Sequence, residues 1–365
     1  MRRNARIILA LLLASTLALV VPVYYQGLWR LFVRVSDDDL SQLRQRSLVF
    51  IKVHKTGSST IANILQRYGH RNELNFALPN KTVGEIRYNY FGGIGGTLDR
   101  SKMIPSKRSH PNSGFNILFN HVIYNWTAFV EIFPPNNSSY VTMIREPVSH
   151  FESSLLYFVH DNIFNVATEN TTAYLENPAA YEPKDAYISF TNNRQALDLG
   201  IPPRQLRNAK YVETYIKVLD KTMDLVMITE YFDESLIMLK RKFSLQLRDI
   251  IYIHKNKKYQ SFDFKFSSHD LALLREWLLA DDMIYQHFHL KFYLALKNEP
   301  LIMEETVHFK QVLEKTWRFC EGTEHTNRLL IKESQWNTRF ELTALDCAYM
   351  NLSELDFLNK LLHDR

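Results

Sequence analysis

Short apolar runs alternate with amphipathic segments along the first two thirds of the chain. We predict four strands, at Leu48–Val53, Asn116–Asn120, Tyr140–Ile144 and Asp224–Ile228. The segments that follow three of these runs have helical spacing, which predicts helices over Ser59–Tyr68, from Pro147 to about His160, and over Asp233–Phe243. Gly69 is expected to end the first helix. Strands that alternate with helices predict an α/β fold in which helices flank a central parallel sheet.

The order of these elements also predicts where polar chemistry gathers. His54, His121 and Arg145 each directly follow a predicted strand. Ligands of open parallel sheets bind beyond the carboxyl ends of the strands. We therefore expect these three side chains to lie at one edge of the sheet.

Two further regions add to this pattern. Residues Arg71–Gly114 are irregular and rich in Gly, Asn and Pro, and a loop of this length can form a substrate-binding wall. Within it, Gly92–Gly96 has no strand leading into it and no helix after it, so we predict a flexible turn there and not a dinucleotide-binding loop. In the carboxyl third, the helix-like segment Leu271–Leu279 is expected to complete the core.

The amino terminus has the pattern of a membrane anchor. An uncharged stretch, Ile7–Val23, follows a short basic end and precedes an aromatic group, and the flanking residues are Arg2, Arg3, Arg6, Tyr24, Tyr25 and Trp29. We predict a cytosolic tail at 1–6, a transmembrane signal anchor at 7–25, a stem at 26–46 and a luminal domain at 47–365. A cleaved signal peptide is the alternative, but the apolar stretch is longer than usual and no small-x-small site precedes Tyr24.

Composition indicates a globular domain with a large core. Of the 365 residues, 46% are hydrophobic and 13% aromatic, and the net charge is only +5. Basic residues are interspersed with acidic ones and form no stripe, which argues against a nucleic-acid partner.

Sequons and cysteines agree with a luminal placement. Six sequons are candidate glycosylation sites, at Asn80, Asn125, Asn136, Asn137, Asn170 and Asn351. The overlap of Asn136 with Asn137 argues against double occupancy, and Asn125 lies close to His121. The two cysteines, Cys320 and Cys347, predict one disulfide in an oxidising lumen, with two buried thiols as the alternative. Because both lie near the carboxyl end, a cysteine nucleophile or thiolate metal site is excluded from the predicted catalytic part.

The first predicted strand runs through a basic, hydroxyl-rich turn into the first predicted helix. This turn reads His54-Lys55-Thr56-Gly57-Ser58-Ser59-Thr60. A helix amino terminus presents free backbone N–H groups and partial positive charge, so the turn is suited to bind an anion. It is not a Walker A loop, because a single glycine follows the lysine by two positions.

The turn resembles the 5'-phosphosulfate loop of Golgi carbohydrate sulfotransferases, and more closely that of the galactose 3-O-sulfotransferases. Three further segments are similar to motifs of that family in the same order: Phe115–His121 with its Asn-His pair, Met143–Ser154, and the Asn-Asn...Asp-x-Gly block at Asn192–Gly200. Asp224–Leu236 matches another block, so the resemblance runs from about residue 48 to 258.

The resemblance implies a P-loop-like sulfotransferase fold and a sulfate donor, 3'-phosphoadenosine 5'-phosphosulfate (PAPS). It assigns the 5'-phosphosulfate to Lys55, Thr56, Gly57, Ser58, Ser59 and Thr60, and the 3'-phosphate to Arg145 and Ser153. His121 is the implied general base, and Lys55 is placed to stabilise the leaving phosphate. His54 is a further catalytic candidate, and Asn120, Asn193 and Asp198 are candidates for acceptor contact. The resemblance implies transfer without a metal.

Several of these residues also have structural interpretations. His54 can cap the strand or orient Lys55, and Arg145 can be an ion-pair partner of Glu146 or Glu152. Asn193 and Asp198 can serve packing or turn formation.

We expect a type II Golgi membrane enzyme that moves sulfate from PAPS to the 3-hydroxyl of a terminal β-galactose on a glycolipid or glycoprotein glycan. The alternatives are a sulfotransferase for another acceptor sugar and an inactive Golgi glycan-binding homologue. A kinase is disfavoured because the Walker lysine and magnesium carboxylates are missing from these motifs. Oligomeric state, including a homo-oligomer, stays open.

Overall fold

The computed structural model describes residues 46–80, 90–105, 114–159, 171–253, 265–322 and 327–364. Residues 46–365 form one compact unit. The predicted tail, anchor and nearly all of the stem lie outside the described residues, and their assignment stays a prediction. Within the described ranges, no helix combines the length and the apolar character needed to cross a bilayer.

A four-stranded parallel sheet forms the centre of the fold. The strands are β1 (Ser47–Ile51), β2 (Ile117–Leu118), β3 (Ser138–Ile144) and β4 (Leu225–Ile228), in the spatial order β2-β1-β3-β4. Val49 pairs with Leu118 on one side and with Tyr140 on the other, and Thr142 pairs with Val226. β3 is buried along its whole length, as expected for a strand covered on both faces. The predicted α/β class with a helix-flanked parallel sheet is confirmed.

Helices cover the sheet and extend the core into the carboxyl third. They are α1 (Ser58–Arg71), α2 (Trp126–Ile132), α3 (Pro147–Val159), α4 (Thr171–Glu176), α5 (Arg194–Asp198), α6 (Ala209–Thr222), α7 (Phe232–Lys242), α8 (Leu247–Ile250), α9 (Ser268–Trp277), α10 (Leu279–Asn298), α11 (Ile302–Cys320), α12 (Ala344–Asn351) and α13 (Glu354–His363). The antiparallel hairpin β5 (Arg328–Ile331) and β6 (Phe340–Thr343) precedes the last two helices.

The end predicted for the first helix is wrong. Gly69 lies inside α1, which continues to Arg71. The reason for a glycine there is space, because a Cβ atom at Gly69 would come within 2.4 Å of Phe76 Cζ and 2.6 Å of Ile117 Cδ1. This glycine therefore lets α1 approach its neighbours and does not cap the helix.

Other boundaries differ by a few residues from the sequence-based ones. β1 ends at Ile51, two residues before its predicted end at Val53. The chain there enters the next loop, in which the hydroxyls of Thr56 and Ser58 donate to the Val53 carbonyl oxygen. β2 comprises only Ile117 and Leu118. The helix predicted over Leu271–Leu279 is divided between α9 and α10, which meet at Leu278.

The carboxyl end is tied to the rest of the domain. Cys320 at the end of α11 and Cys347 in α12 form a disulfide with a Cα–Cα distance of 5.4 Å. Arg248 on α8 forms an ion pair with Asp346 on α12 at 3.2 Å. These links hold α12 against α8 and α11.

Candidate active site

The loop after β1 forms the centre of the candidate site. Lys55 has φ of 57° and Gly57 has φ of 81°, so the chain passes twice through the left-handed region before α1 begins. A Cβ atom at Gly57 would lie 2.9 Å from Phe232 Cε2, which requires glycine there. The loop thus brings Lys55 to the amino terminus of α1.

The hydroxyl groups of this loop mainly shape the loop itself. Thr56 Oγ1 and Ser58 Oγ both donate to the carbonyl oxygen of Val53, at 3.1 and 2.5 Å. Ser59 Oγ donates to Glu354 Oε2 at 3.3 Å. α1 starts without a side-chain cap and without an acidic residue in its first turn. The Thr60 N–H donates to the Gly57 carbonyl oxygen at 3.0 Å, so the backbone N–H groups of Gly57, Ser58 and Ser59 are better placed for an anion than the hydroxyls of Thr56 and Ser58.

Two cations lie beside this helix terminus. The Lys55 ammonium sits 3.7 Å above the ring of Tyr157, and Arg145 Nη1 donates to the Lys55 carbonyl oxygen at 3.3 Å. Burial lowers the pKa of Arg145, and the charges of nearby carboxylates, Glu146 and Glu152 among them, counteract this. The ion-pair interpretation of Arg145 therefore stays a prediction. Burial and the neighbouring Arg145 lower the pKa of Lys55 to about 8.

Arg145 is held in place through its backbone. Its N–H donates to Gln195 Oε1 at 2.8 Å, and its carbonyl oxygen accepts from Gln195 Nε2 at 2.9 Å. Thr229 Oγ1, which follows β4, donates to the carbonyl oxygens of Thr56 and Ile144. The turns after β1, β3 and β4 are thereby joined at the carboxyl edge of the sheet.

Ser153 is half-buried on α3. It precedes Tyr157 by four residues, which places the two residues on one face of the helix. The Lys55 ammonium lies above the Tyr157 ring. The contact of Ser153 with a 3'-phosphate stays a prediction.

His54 is enclosed in a buried hydrogen-bond network. Its Nδ1 and its backbone N–H both lie against Asp198 Oδ2, at 2.7 and 2.9 Å, and its Nε2 lies 2.8 Å from the Tyr90 hydroxyl. Arg194 Nη2 donates to the other oxygen of Asp198 at 2.7 Å. His150 Nε2 donates to the His54 carbonyl oxygen at 2.8 Å. Both ring nitrogens of His54 thus have hydrogen-bond partners, which favours a structural role for His54 in the site.

His121 stacks directly on His54. The ring centroids are 3.8 Å apart with 17° between the planes, and the Tyr90 ring stacks on His121 at 4.8 Å. Burial, with His54 and Lys52 adding to it, lowers the pKa of His121 well below its usual value of 6.5. His121 Nδ1 is buried without a hydrogen-bond partner among the described residues. The imidazole is therefore neutral near pH 7 and has a nitrogen available.

Asn120 is the second polar group without a partner in the described part of the chain. Its side chain is fully buried, and neither Oδ1 nor Nδ2 makes a hydrogen bond there. An unsatisfied buried amide costs about 1–3 kcal/mol, so such a group calls for an explanation. Its position beside His121 makes a bound ligand a natural partner.

Asn193 and Asp198 hold the protein together instead of facing a ligand. Asn193 donates to the Trp277 carbonyl oxygen at 2.7 Å and accepts from the Asp281 N–H at 3.0 Å. Asp198 is committed to His54 and Arg194, as described above. The geometry offers no support for acceptor contact by either residue, and it agrees with the packing interpretation.

Sequence reasoning missed Tyr90 and Arg194. Tyr90 lies inside the irregular region Arg71–Gly114 and forms an isolated parallel bridge with His121, and no local pattern marks it. Arg194 had a usable signal, because it precedes Asp198 by four residues within a predicted motif, the spacing of an ion pair on one helix face. The glycine cluster 92–96 lies in a turn, as predicted.

The predicted sequons differ in exposure. Asn125, Asn136, Asn137 and Asn351 are exposed, Asn80 is half-buried, and Asn170 lies outside the described residues. In the described ranges no group of three or more His, Cys, Asp and Glu side chains is arranged to hold a metal ion. Metal-free chemistry stays a prediction.

Comparison with known proteins gives a consistent result. A sequence model of the family described as Galactose-3-O-sulfotransferase matches residues 1–339. Galactosylceramide sulfotransferase of Homo sapiens is 31% identical over 253 residues, which is 68% of this chain and 57% of that protein. Galactose-3-O-sulfotransferase 2 of Mus musculus is 28% identical over 273 residues, covering 74% of this chain and 67% of the relative.

A third relative aligns over more of the chain. Galactose-3-O-sulfotransferase 3 of Mus musculus is 27% identical over 339 residues, or 89% of this chain and 76% of the relative. The chain covers less than two thirds of the human galactosylceramide sulfotransferase. The family match ends at residue 339, before β6, α12 and α13.

Proposed function

This chain belongs to the galactose-3-O-sulfotransferase family, and on that premise we propose that it transfers a sulfuryl group from PAPS to the 3-hydroxyl of a terminal β-galactose. The observation that carries the proposal is the pair of half-buried cations, Lys55 and Arg145, at the uncapped amino terminus of α1. The Lys55 ammonium lies above the Tyr157 ring, whereas the charges of nearby glutamates act on Arg145. A donor with a 5'-phosphosulfate and a 3'-phosphate offers a negatively charged group to each cation.

Donor binding divides between two parts of the site. Lys55 and the N–H groups at the start of α1 bind the 5'-phosphosulfate, and Arg145 with Ser153 binds the 3'-phosphate. Arg145 offers a planar, permanently charged fork suited to a phosphate group. The two hydrogen bonds between the Gln195 side chain and the Arg145 backbone support this assignment, because they fix the point from which the guanidinium group extends.

The transfer step needs a base and a stabilised leaving group. The acceptor oxygen bonds to sulfur while its proton passes to His121, and the bond from sulfur to the 5'-phosphate oxygen breaks. The electrons remain on that phosphate, where Lys55 neutralises the new charge. The neutral state of His121, caused by burial, supports its assignment as base, and general base catalysis is typically worth about 10²–10⁴-fold.

Supporting residues orient the base. Both ring nitrogens of His54 already have hydrogen-bond partners. We therefore assign His54 to positioning His121 through their stacked rings. Asp198 and Arg194 in turn fix the His54 ring. Asn120, whose amide has no partner among the described residues, is assigned to the acceptor sugar next to His121.

The cellular setting is also a proposal. We assign the protein to the Golgi membrane as a single-pass type II protein with its anchor at 7–25 and its catalytic domain in the lumen. The exposed sequons and the Cys320–Cys347 disulfide support an oxidising, glycosylating compartment. A galactose-terminated glycolipid or glycan is the proposed acceptor, in keeping with the names of the relatives.

The test is sulfate transfer by the full-length protein. Radiolabelled PAPS is supplied with galactosylceramide, lactosylceramide and an N-acetyllactosamine glycan in parallel, and the labelled position is determined. We expect label on galactose O3, and none with Lys55→Ala or His121→Ala. If the folded protein binds the product nucleotide PAP but labels no galactoside, the acceptor assignment is wrong. If it does not bind PAP, sulfuryl transfer itself is wrong.

A further inference from the structure

The carboxyl-terminal helices pack against the helix that begins at the anion-binding loop. Asn63 Nδ2 on α1 donates to the Tyr349 carbonyl oxygen at 3.0 Å, and Gln66 Nε2 donates to the Glu354 carbonyl oxygen at 3.3 Å. Both acceptors belong to α12 and α13, which lie beyond the end of the family match. The family assignment therefore says nothing about what this segment does.

One carboxylate from this segment reaches both ends of the loop. Glu354 Oε2 forms an ion pair with Lys52, which directly follows β1, and it also accepts the Ser59 hydroxyl at 3.3 Å. Ser59 is the second residue of α1. A single oxygen of Glu354 thus joins the two residues that flank loop 53–58, across 302 and 295 positions of sequence.

The ion pair between Glu354 and Lys52 matters because the charge of Lys52 is buried. Lys52 is 1% exposed, and within the described ranges Glu354 is the carboxylate that pairs with it. A buried ammonium that loses its partner is strongly disfavoured, so the surrounding chain must move to let water reach it. Lys52 stands two residues before His54, and its charge already contributes to the lowered pKa values of His54 and His121.

We propose that Glu354 is a positioning residue for the 5'-phosphosulfate loop. It does not touch the donor, and it acts through Lys52 and Ser59 to keep Lys55 and the start of α1 in the anion-binding arrangement. That this loop binds a 5'-phosphosulfate rests on the proposed function. That Glu354 fixes the conformation of the loop does not depend on the proposed function.

The test compares two Glu→Gln variants of the full-length protein. Glu354→Gln removes the charge from the loop contact. Glu305→Gln is the control, because it removes a more deeply buried charge, 2% exposed against 11% for Glu354, from the ion pairs with Lys240 at 2.8 Å and Arg241 at 2.7 Å, away from the loop. For each variant we measure the dissociation constant of PAP and the hydrogen exchange of the backbone amides of residues 53–60.

We expect Glu354→Gln to raise the dissociation constant of PAP about tenfold, as for groups that hold a ligand-binding residue in place, and to speed amide exchange in the loop. The Glu305→Gln control should change neither. Equal effects of both variants would mean general destabilisation, and a folded Glu354→Gln protein with wild-type affinity and exchange would overturn the proposal.

A second variant guards against misfolding. Lys52→Met combined with Glu354→Leu removes both charges together and leaves no unpaired ion, a replacement that proteins often tolerate. We expect it to fold and still to show faster loop exchange, and unchanged exchange would reject the positioning of the loop. If the wild-type protein fails to bind PAP, the proposed function falls, while the exchange comparison still decides the part played by Glu354.

Discussion

At the scale of single residues, the site contrasts side chains that are fully engaged with side chains that are not. His54 has partners on both ring nitrogens, whereas His121 Nδ1 and the Asn120 amide have none among the described residues. Burial without a partner is costly, so the second group is better explained by a ligand than by the fold. This contrast supports the proposal that His121 is the general base and that His54 positions it.

Replacement of His121 should separate chemistry from binding. His121→Ala is expected to lower kcat about 10²–10⁴-fold because the acceptor proton loses its base. The dissociation constant of PAP should stay close to the wild-type value, since the anion site is formed by Lys55 and Arg145. Steady-state kinetics and PAP titration check both statements, and a parallel loss of PAP affinity would count against the assignment.

Donor affinity should fall as the pH rises. The pKa of Lys55 is lowered to about 8, so its ammonium is present below pH 8 and is lost above it. A charged hydrogen bond is worth about 1.5–3 kcal/mol, and about 3% of Lys55 stays protonated at pH 9.5, so we expect PAP affinity to fall about 10–30-fold between pH 7 and 9.5. Lys55→Arg keeps its charge over this range and should flatten the profile. An unchanged wild-type affinity at pH 9.5 would contradict the contact.

At the scale of elements, the strand–loop–helix unit of β1 and α1 contains most of the proposed donor site. The spacing of apolar residues predicted the order of strand, loop and helix in this unit. It did not predict the residues at which the strand and the helix end. Gly69 shows why, because its place inside α1 is set by Phe76 and Ile117, which lie outside the helix. A glycine near a helix end predicts a cap from local sequence, and only packing reveals a close approach.

The close packing around Gly69 predicts the effect of adding a single methyl group at this position. Gly69→Ala should gain about 1 kcal/mol of helix propensity but lose about 1–3 kcal/mol to overpacking against Phe76 and Ile117. We expect a net loss in the free energy of unfolding, measured by urea titration. Gly114→Ala is the control, since a Cβ there would meet nothing within 4 Å. A Gly69→Ala protein more stable than wild type would contradict the close approach of Phe76 and Ile117.

At the scale of the whole molecule, burial of ionisable groups links stability to pH. Burial lowers the pKa of His150 to about 4 and those of His54 and His121 well below 6.5. The unfolded chain binds a proton at each near pH 6.5, so their contribution to stability is complete above pH 6.5 and is lost as the pH falls. Asp281, whose pKa burial raises to about 7, acts in the opposite direction.

Three histidines against one carboxyl leave the unfolded chain with an excess of about one proton at pH 6.5, which rises to about two at pH 5. Stability should then fall by roughly 1 kcal/mol per pH unit near pH 6.5 and by roughly 2–3 kcal/mol per pH unit near pH 5, because each proton contributes about 1.4 kcal/mol. Urea unfolding at pH 7 and pH 5 measures this slope. His287→Gln, an exposed control, should keep it, and a protein equally stable at both pH values would show that these histidines are not buried in neutral form.

The sequence by itself determined the α/β class, the order of strands and helices, and the placement of His54, His121 and Arg145 at strand ends. It could do so because hydrophobic spacing reports on neighbours within a few residues, and because parallel strands must end at one edge. Tertiary structure alone decided which side chains meet: His54 with Asp198 across 144 positions, and Lys52 with Glu354 across 302. Such pairs depend on how distant segments pack around one core, and local periodicity contains no record of that.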